Sequence, residues 1–131
     1  MQRRTWLKTL CLAAGATPLA TGAENSAHRI QLHVDLTVDP AREAEMLSAF
    51  HDSFRPAVAR QPGYVDVQML KLRSTLAGAA PAGANYRFCL TFASEDLRKQ
   101  WVATETHRKV WPGIEKTLQH RNYNVLLFEV A

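Results

Sequence analysis

The stretch RIQLHVDLTVDP, Arg29 to Pro40, decides the fold. Ile30, Leu32, Val34, Leu36 and Val38 alternate strictly with Arg29, Gln31, His33, Asp35 and Thr37. A period of two places every apolar side chain on one side of an extended chain, so 29–38 reads as a strand with one buried face. Asp39-Pro40 follows with a capping carboxylate and a proline at the first helical position, where a missing N–H does no harm.

Outward from that strand the period changes. Leu47, Phe50, Phe54 and Val58 recur at helical spacing; Pro56 is expected to bend the last turn or two, and Pro62-Gly63 to end the helix. Tyr64 to Arg73 and Tyr86 to Ala93 read as the second and third strands. Between them STLAGAAPAGAN, Ser74 to Asn85, is a small-residue loop, long for a hairpin connection and expected to be mobile. SEDLRKQWVATETHRKVWPG, Ser94 to Gly113, reads as one helix capped by Ser94, with Leu97, Trp101, Thr104, Arg108 and Trp111 along one side. Pro112 is expected to break it, and Ile114 and Leu118 suggest a short helical continuation. Tyr123 to Val130 is the last strand. The order β-α-β-β-α-β is the split ferredoxin-like pattern of the α+β class, a four-stranded antiparallel sheet with two helices on one face.

The second sheet face needs a cover of its own. Leu126, Phe128 and Val130 in the last strand, and Tyr64, Leu70 and Leu72 in the second, point away from the core-facing residues. So short a chain has no further element to lay over them. A homodimer packed through the open sheet face is expected.

The N-terminus belongs to a different class of segment. QRRTWLKTLCLAAGA pairs Arg3 with Arg4, follows with Trp6, Leu7 and Lys8, and ends in a short apolar run. It resembles a twin-arginine export signal, with Gln2 and Trp6 departing from the usual Ser/Thr and Phe. The run is too short to span a membrane, and Thr21-Gly22-Ala23 offers a small-residue cleavage site. Cys11 lacks the small residues that a lipid-anchored signal places before its cysteine. Residues 1–23 are therefore expected to leave, giving a periplasmic or secreted protein with no membrane contact afterwards, and 24–131 is the domain. The whole chain carries 16 Lys and Arg against 12 Asp and Glu, a formal +4. Without Arg3, Arg4 and Lys8 the balance is 13 against 12, near +1, so no nucleic-acid partner is expected. Cys89 is the one cysteine left in 24–131, so no disulfide forms within it.

From Arg29 to Val130 the chain resembles an antibiotic biosynthesis monooxygenase (ABM) domain of the dimeric α+β barrel superfamily. The carrying residues are Gln61-Pro62-Gly63-Tyr64-Val65-Asp66-Val67-Gln68, then Phe92-Ala93-Ser94-Glu95-Asp96-Leu97, Trp101 and His107. The stress-responsive A/B barrel family, on the same fold, has a similar helix with a histidine at the corresponding place. The first resemblance implies oxidation of small phenols or quinols by molecular oxygen with no cofactor; the second implies a non-catalytic ligand-binding or stress-response protein. In the oxygenase reading the deprotonated substrate is itself the electron donor, so the protein supplies a base and a water-poor aromatic pocket. His107 is the candidate catalytic base, and Trp101, Trp111 and Tyr86 the candidate substrate-binding residues for a small apolar or aromatic ligand. On one continuous helix His107 falls about 120° from Trp101 and beside Trp111, on the shoulder of the buried face. The alternative is a histidine that bonds a backbone carbonyl and packs on Trp111. Tyr64, Tyr86 and Arg87 near the strand ends either line a pocket mouth or are ordinary strand formers. The haem-degrading branch resembles an arrangement with a histidine ten residues after the tryptophan; here Trp111 stands at that place, so haem by that ligand is not expected.

No metal site is expected, since no pair among His28, His33, His51, His107 and His120 has ligand spacing on a common face. His33 with Asp35 reads as a polar pair on the dimer-facing side, and Cys89 as an inert buried thiol.

Overall fold

Alternation in the first apolar stretch becomes strand β1 (Ile30–Leu36), with Ile30, Val34 and Leu36 buried toward the helices. The computed structural model describes residues 28–131, so the export signal read in 1–23 lies outside the described residues. Asp39 caps the next element, its carboxylate accepting the Ala41 N–H at 2.9 Å with Pro40 behind it. A single 3-10 turn leads into α1 (Glu43–Ser48), a π-helical segment Ala49–Phe54, and α2 (Arg55–Val58). Met46, Phe50, Phe54 and Val58, each four residues on, are fully buried along this path. Leu47 was expected on that face but is only partly buried, and Met46 takes its place. Pro56 has no N–H to give the Asp52 carbonyl and its ring would strike it. The wider winding just before Pro56 relieves that clash without ending the helix.

Gly63 turns the chain at φ +86° into β2 (Tyr64–Lys71), and its carbonyl accepts the Ala93 N–H at 2.7 Å. Then come β3 (Tyr86–Phe92), α3 (Glu95–Val102), α4 (Glu105–Glu115) and β4 (Val125–Glu129). The strands lie in the order β2-β3-β1-β4, all antiparallel, with Leu32 opposite Leu90 on one side and Leu127 on the other. This is the expected four-stranded ferredoxin-like sheet with its helices on one face. Phe88, Leu90 and Phe92 of β3 meet Phe50, Phe54, Trp101 and Ile114 in the core.

The stretch 94–113 is two helices rather than one. Ser94 caps α3 as expected, its hydroxyl accepting the Leu97 N–H. Thr104 then closes α3 and opens α4: its hydroxyl donates to the Trp101 carbonyl at 2.7 Å and accepts the His107 N–H at 3.1 Å. Such local side-chain bonds compete with the helical ladder and win here. Pro112 breaks nothing; it sits inside α4, which carries on through Ile114. Leu118 leaves the helix to bridge Val38. The base of the 74–85 loop is pinned by Asn85, whose amide accepts from Val38 N at 2.8 Å and donates to Val38 O at 2.9 Å.

On the open face Leu70, Leu72, Leu126, Phe128 and Val130 are 43–48% exposed. A polar strip runs between the two apolar edges. Arg87 Nε donates to the buried Asp35 carboxylate at 2.7 Å, so Asp35 is taken by Arg87 and not by His33 as expected. His33 Nε2 instead meets Gln31 Oε1 at 3.0 Å. Cys89 lies on this face rather than in the core, 3.5 Å from His33 Nε2, and burial pushes its thiol up so that it stays protonated. No helix among the described residues is long and apolar enough to cross a membrane.

Candidate active site

Three elements bring four aromatic side chains to one place. Trp101 comes from the end of α3, His107 from the first turn of α4, Trp111 from the next turn, and Phe54 from the π-helical segment. The His107 ring lies 5.2 Å from Trp101, nearly perpendicular to it, and 6.5 Å from Trp111, nearly parallel. Phe54 stands edge-on to all three at 5.7, 6.4 and 6.0 Å from Trp101, His107 and Trp111. The Thr104 break is what turns His107 toward Trp101; one continuous helix would have held it about 120° away.

Beneath these rings, against Leu32, Val34, Phe88 and Leu90 of the sheet, is a cavity of 160 Å³. Val102, Tyr123 and Val125 complete it, and Val102 and Val125 are exposed, so the mouth lies between the end of α3 and β4. An apolar cavity of about 150 Å³ takes up benzene. This one therefore has room for a single ring.

Two polar groups stand among these rings. The Trp101 Nε1–H is buried with no hydrogen-bond partner. Neither ring nitrogen of His107 has a partner among the described residues, so the bond to a backbone carbonyl is not made. An unmet buried donor costs about 1–3 kcal/mol, and such groups are rare unless they serve a ligand or an internal water. Burial holds the His107 pKa below the ordinary value, and Arg98 and Arg108 push it the same way. The positive end of α4 acts in the same sense. At neutral pH the imidazole is uncharged and able to accept a proton. Tyr123 donates to Glu115 Oε2 at 2.8 Å; burial and that bond raise its pKa, so it remains a phenol.

Trp101, His107 and Trp111 are thus brought together, and Tyr86 is not. Tyr86 sits at the loop end of β3, while the cavity lies under Phe88 and Leu90 further along the strand. Its hydroxyl donates to Glu43 Oε2 at 2.5 Å, the oxygen that Lys71 Nζ also meets at 2.8 Å. Burial, then Glu43, push its pKa up to about 12. It borders a separate 440 Å³ hollow under the 74–85 loop. Sequence reasoning missed Phe54 and Tyr123 as lining residues. Phe54 was legible only as one more apolar residue of a helical face, and Tyr123 only as the start of a strand. Among the described residues no group of three or more His, Cys, Asp or Glu could hold a metal ion.

No protein-family model matches the chain, and no curated protein matches it. Solved structures do. A protein of Caulobacter crescentus CB15 described as a candidate antibiotic biosynthesis monooxygenase is 20% identical, with a TM-score of 0.64 over 86% of this chain and 98% of its own. SnoaB, a cofactor-independent oxygenase from Streptomyces nogalater, is 20% identical with a TM-score of 0.63 over 80% of this chain and 95% of its own. A dimeric ferredoxin-like protein of unknown function from Jannaschia sp. CCS1 is 14% identical, with a TM-score of 0.66 over 78% and 99%. The likeness fixes the fold. The chain shares the architecture of the antibiotic biosynthesis monooxygenase structures, and its chemistry has to be argued from its own residues.

Proposed function

We propose that the protein is an exported, cofactor-independent oxygenase of small phenols, working as a homodimer, with His107 as the base. The observation that carries this reading is a neutral imidazole without a hydrogen-bond partner, inside a ring-sized aromatic cavity and 5.2 Å from Trp101. A phenol in the cavity gives its proton to His107. The phenolate then passes an electron to molecular oxygen, the two radicals join as a peroxide, and loss of water leaves a quinone. One phenol and one oxygen molecule give one quinone and one water. Proton transfer from a phenol near pKa 10 to an imidazole at or below 6.5 is uphill by about 5 kcal/mol, affordable within the barrier of a turnover near one per second.

The low basicity of His107 favours a second reading, in which the cavity only binds its ring and no proton moves. Oxygen uptake decides between them. With hydroquinone as substrate, His107→Ala is expected to lose at least about a hundredfold in rate, the usual share of a general base. A variant that keeps the wild-type rate, or a wild type that takes up no oxygen, leaves the binding role.

The dimer rests on the apolar rows at both edges of the open face and on β4, exposed on both its sides. Face-to-face packing would cover Leu126, Phe128 and Val130 and blunt an edge prone to wrong pairing. Export rests on Arg3 and Arg4; the Arg3→Lys/Arg4→Lys variant is expected to stay in the cytoplasm in a fractionation assay, and equal export would remove that part.

A further inference from the structure

The cavity itself carries no charged side chain, yet its mouth does not sit in a neutral surrounding. Arg108 follows His107 in α4 and is exposed. Its Nη1 donates to the Ala103 carbonyl at 3.0 Å, which parks the guanidinium over the α3–α4 break, one residue from Val102 at the mouth. No carboxylate lies within 4 Å of Arg108 among the described residues. Glu105, at the start of the same helix, is exposed and makes no ion pair with it. Arg98 and Glu115 nearby are both matched. Arg98 is held by both Glu95 oxygens at 2.7 Å. Glu115 is shared by the Tyr123 hydroxyl at 2.8 Å and Arg121 at 3.6 Å. The positive end of α4, an eleven-residue helix, opens at the same corner.

From the position of this unmatched cation beside the mouth, we infer that the site selects rings bearing a carboxylate, and that Arg108 is the residue that recognises it. The inference rests on the proposal that the cavity takes a ring. A ring of benzene size with its hydroxyl nearly fills the 160 Å³ and leaves a group as bulky as a carboxylate no room inside, so an acidic group has to sit at the mouth. There the planar guanidinium offers paired N–H donors suited to a carboxylate, with solvent close enough to limit the desolvation cost.

The test is a binding titration of the full chain, read by tryptophan fluorescence, with hydroquinone, 2,5-dihydroxybenzoate and a trimethylammonium-bearing phenol. The carboxylate probe is expected to bind about three- to tenfold more tightly than hydroquinone at low salt, the effect of one solvent-screened charge pair at about 6 Å with a dielectric constant of about 40–80. The gap narrows as salt is raised. Arg108→Gln is expected to abolish the gap while hydroquinone affinity stays, and Arg108→Lys to keep part of it. Equal affinity of all three probes, or a gap that survives Arg108→Gln, overturns the role of Arg108 and leaves the ring cavity standing. Failure of all three to bind overturns the cavity reading and this one with it.

Discussion

Gly63→Ala probes the joint that holds the candidate site in place. Gly63 sits at φ +86°, where a side chain costs about 1–2 kcal/mol in backbone conformation alone. A methyl group there would also stand 2.5 Å from Leu97 Cδ1 and 2.9 Å from Leu97 Cβ. The Cδ1 atom can swing aside, but the Cβ is fixed to α3, so the helix has to move. Overpacking of that kind costs about 1–3 kcal/mol. Together the two effects come to about 2–5 kcal/mol, or a melting temperature at least about 10 °C lower for a domain of this size. Leu97 lies one turn before Trp101, so the shift also moves a cavity wall, and hydroquinone affinity is expected to fall with stability. The assay is thermal unfolding by circular dichroism for Gly63→Ala, for Leu97→Gly, which removes the obstructing Cβ, and for the double variant. The double variant should be more stable than the sum of the singles predicts by about 1–3 kcal/mol, the clash share, with the backbone share remaining. A melting temperature within about 3 °C of wild type, or strictly additive variants, refutes the reasoning.

Three further outcomes are expected. Burial lowers the folded-state pKa of His107, so its protonation favours the unfolded chain; this part of the stability is intact above the unfolded value of 6.5 and declines as pH falls through it. The melting temperature of wild type should therefore drop more between pH 7.5 and pH 5 than that of His107→Phe, and a parallel pair of curves would contradict the assignment. Thr104→Ala removes the hydroxyl that closes α3 and opens α4, which should cost about 1 kcal/mol, near 4–8 °C in melting temperature. Phe128→Glu puts a charge into the apolar row of the open face, and light scattering should find a dimer for wild type and a monomer for the variant; a variant that stays dimeric would place the contact elsewhere.

The order of elements was legible because each reports through its own period: two for Ile30, Leu32, Val34 and Leu36, and four for Phe50, Phe54 and Val58. Caps at Asp39 and Ser94 were legible for the same local reason, since a short acceptor side chain precedes each helix. The break at Thr104 was not, because a threonine in a helical pattern is compatible with either outcome until its hydroxyl is seen to take both the Trp101 carbonyl and the His107 N–H. That one residue changes the site, since it decides which way His107 faces. Pro112 misled in the other direction: a proline signals a lost hydrogen bond, but not whether the helix accommodates it or stops. Tyr86 had the right residue type at the wrong depth along its strand, a matter of register that only the pairing settles. The pairing of Asp35 with Arg87 joins neighbouring strands and likewise had no trace in either segment alone.

The central claim is that the space between helices and sheet is a working ring site. It is tested most directly by titrating the full chain with hydroquinone while following tryptophan fluorescence, in wild type and in Trp111→Ala. Saturable quenching in wild type that vanishes in Trp111→Ala is the predicted result, because Trp111 and His107 frame the cavity together. No saturable change in wild type would mean that the Trp101–His107–Trp111 cluster is a closed core, and would contradict the account.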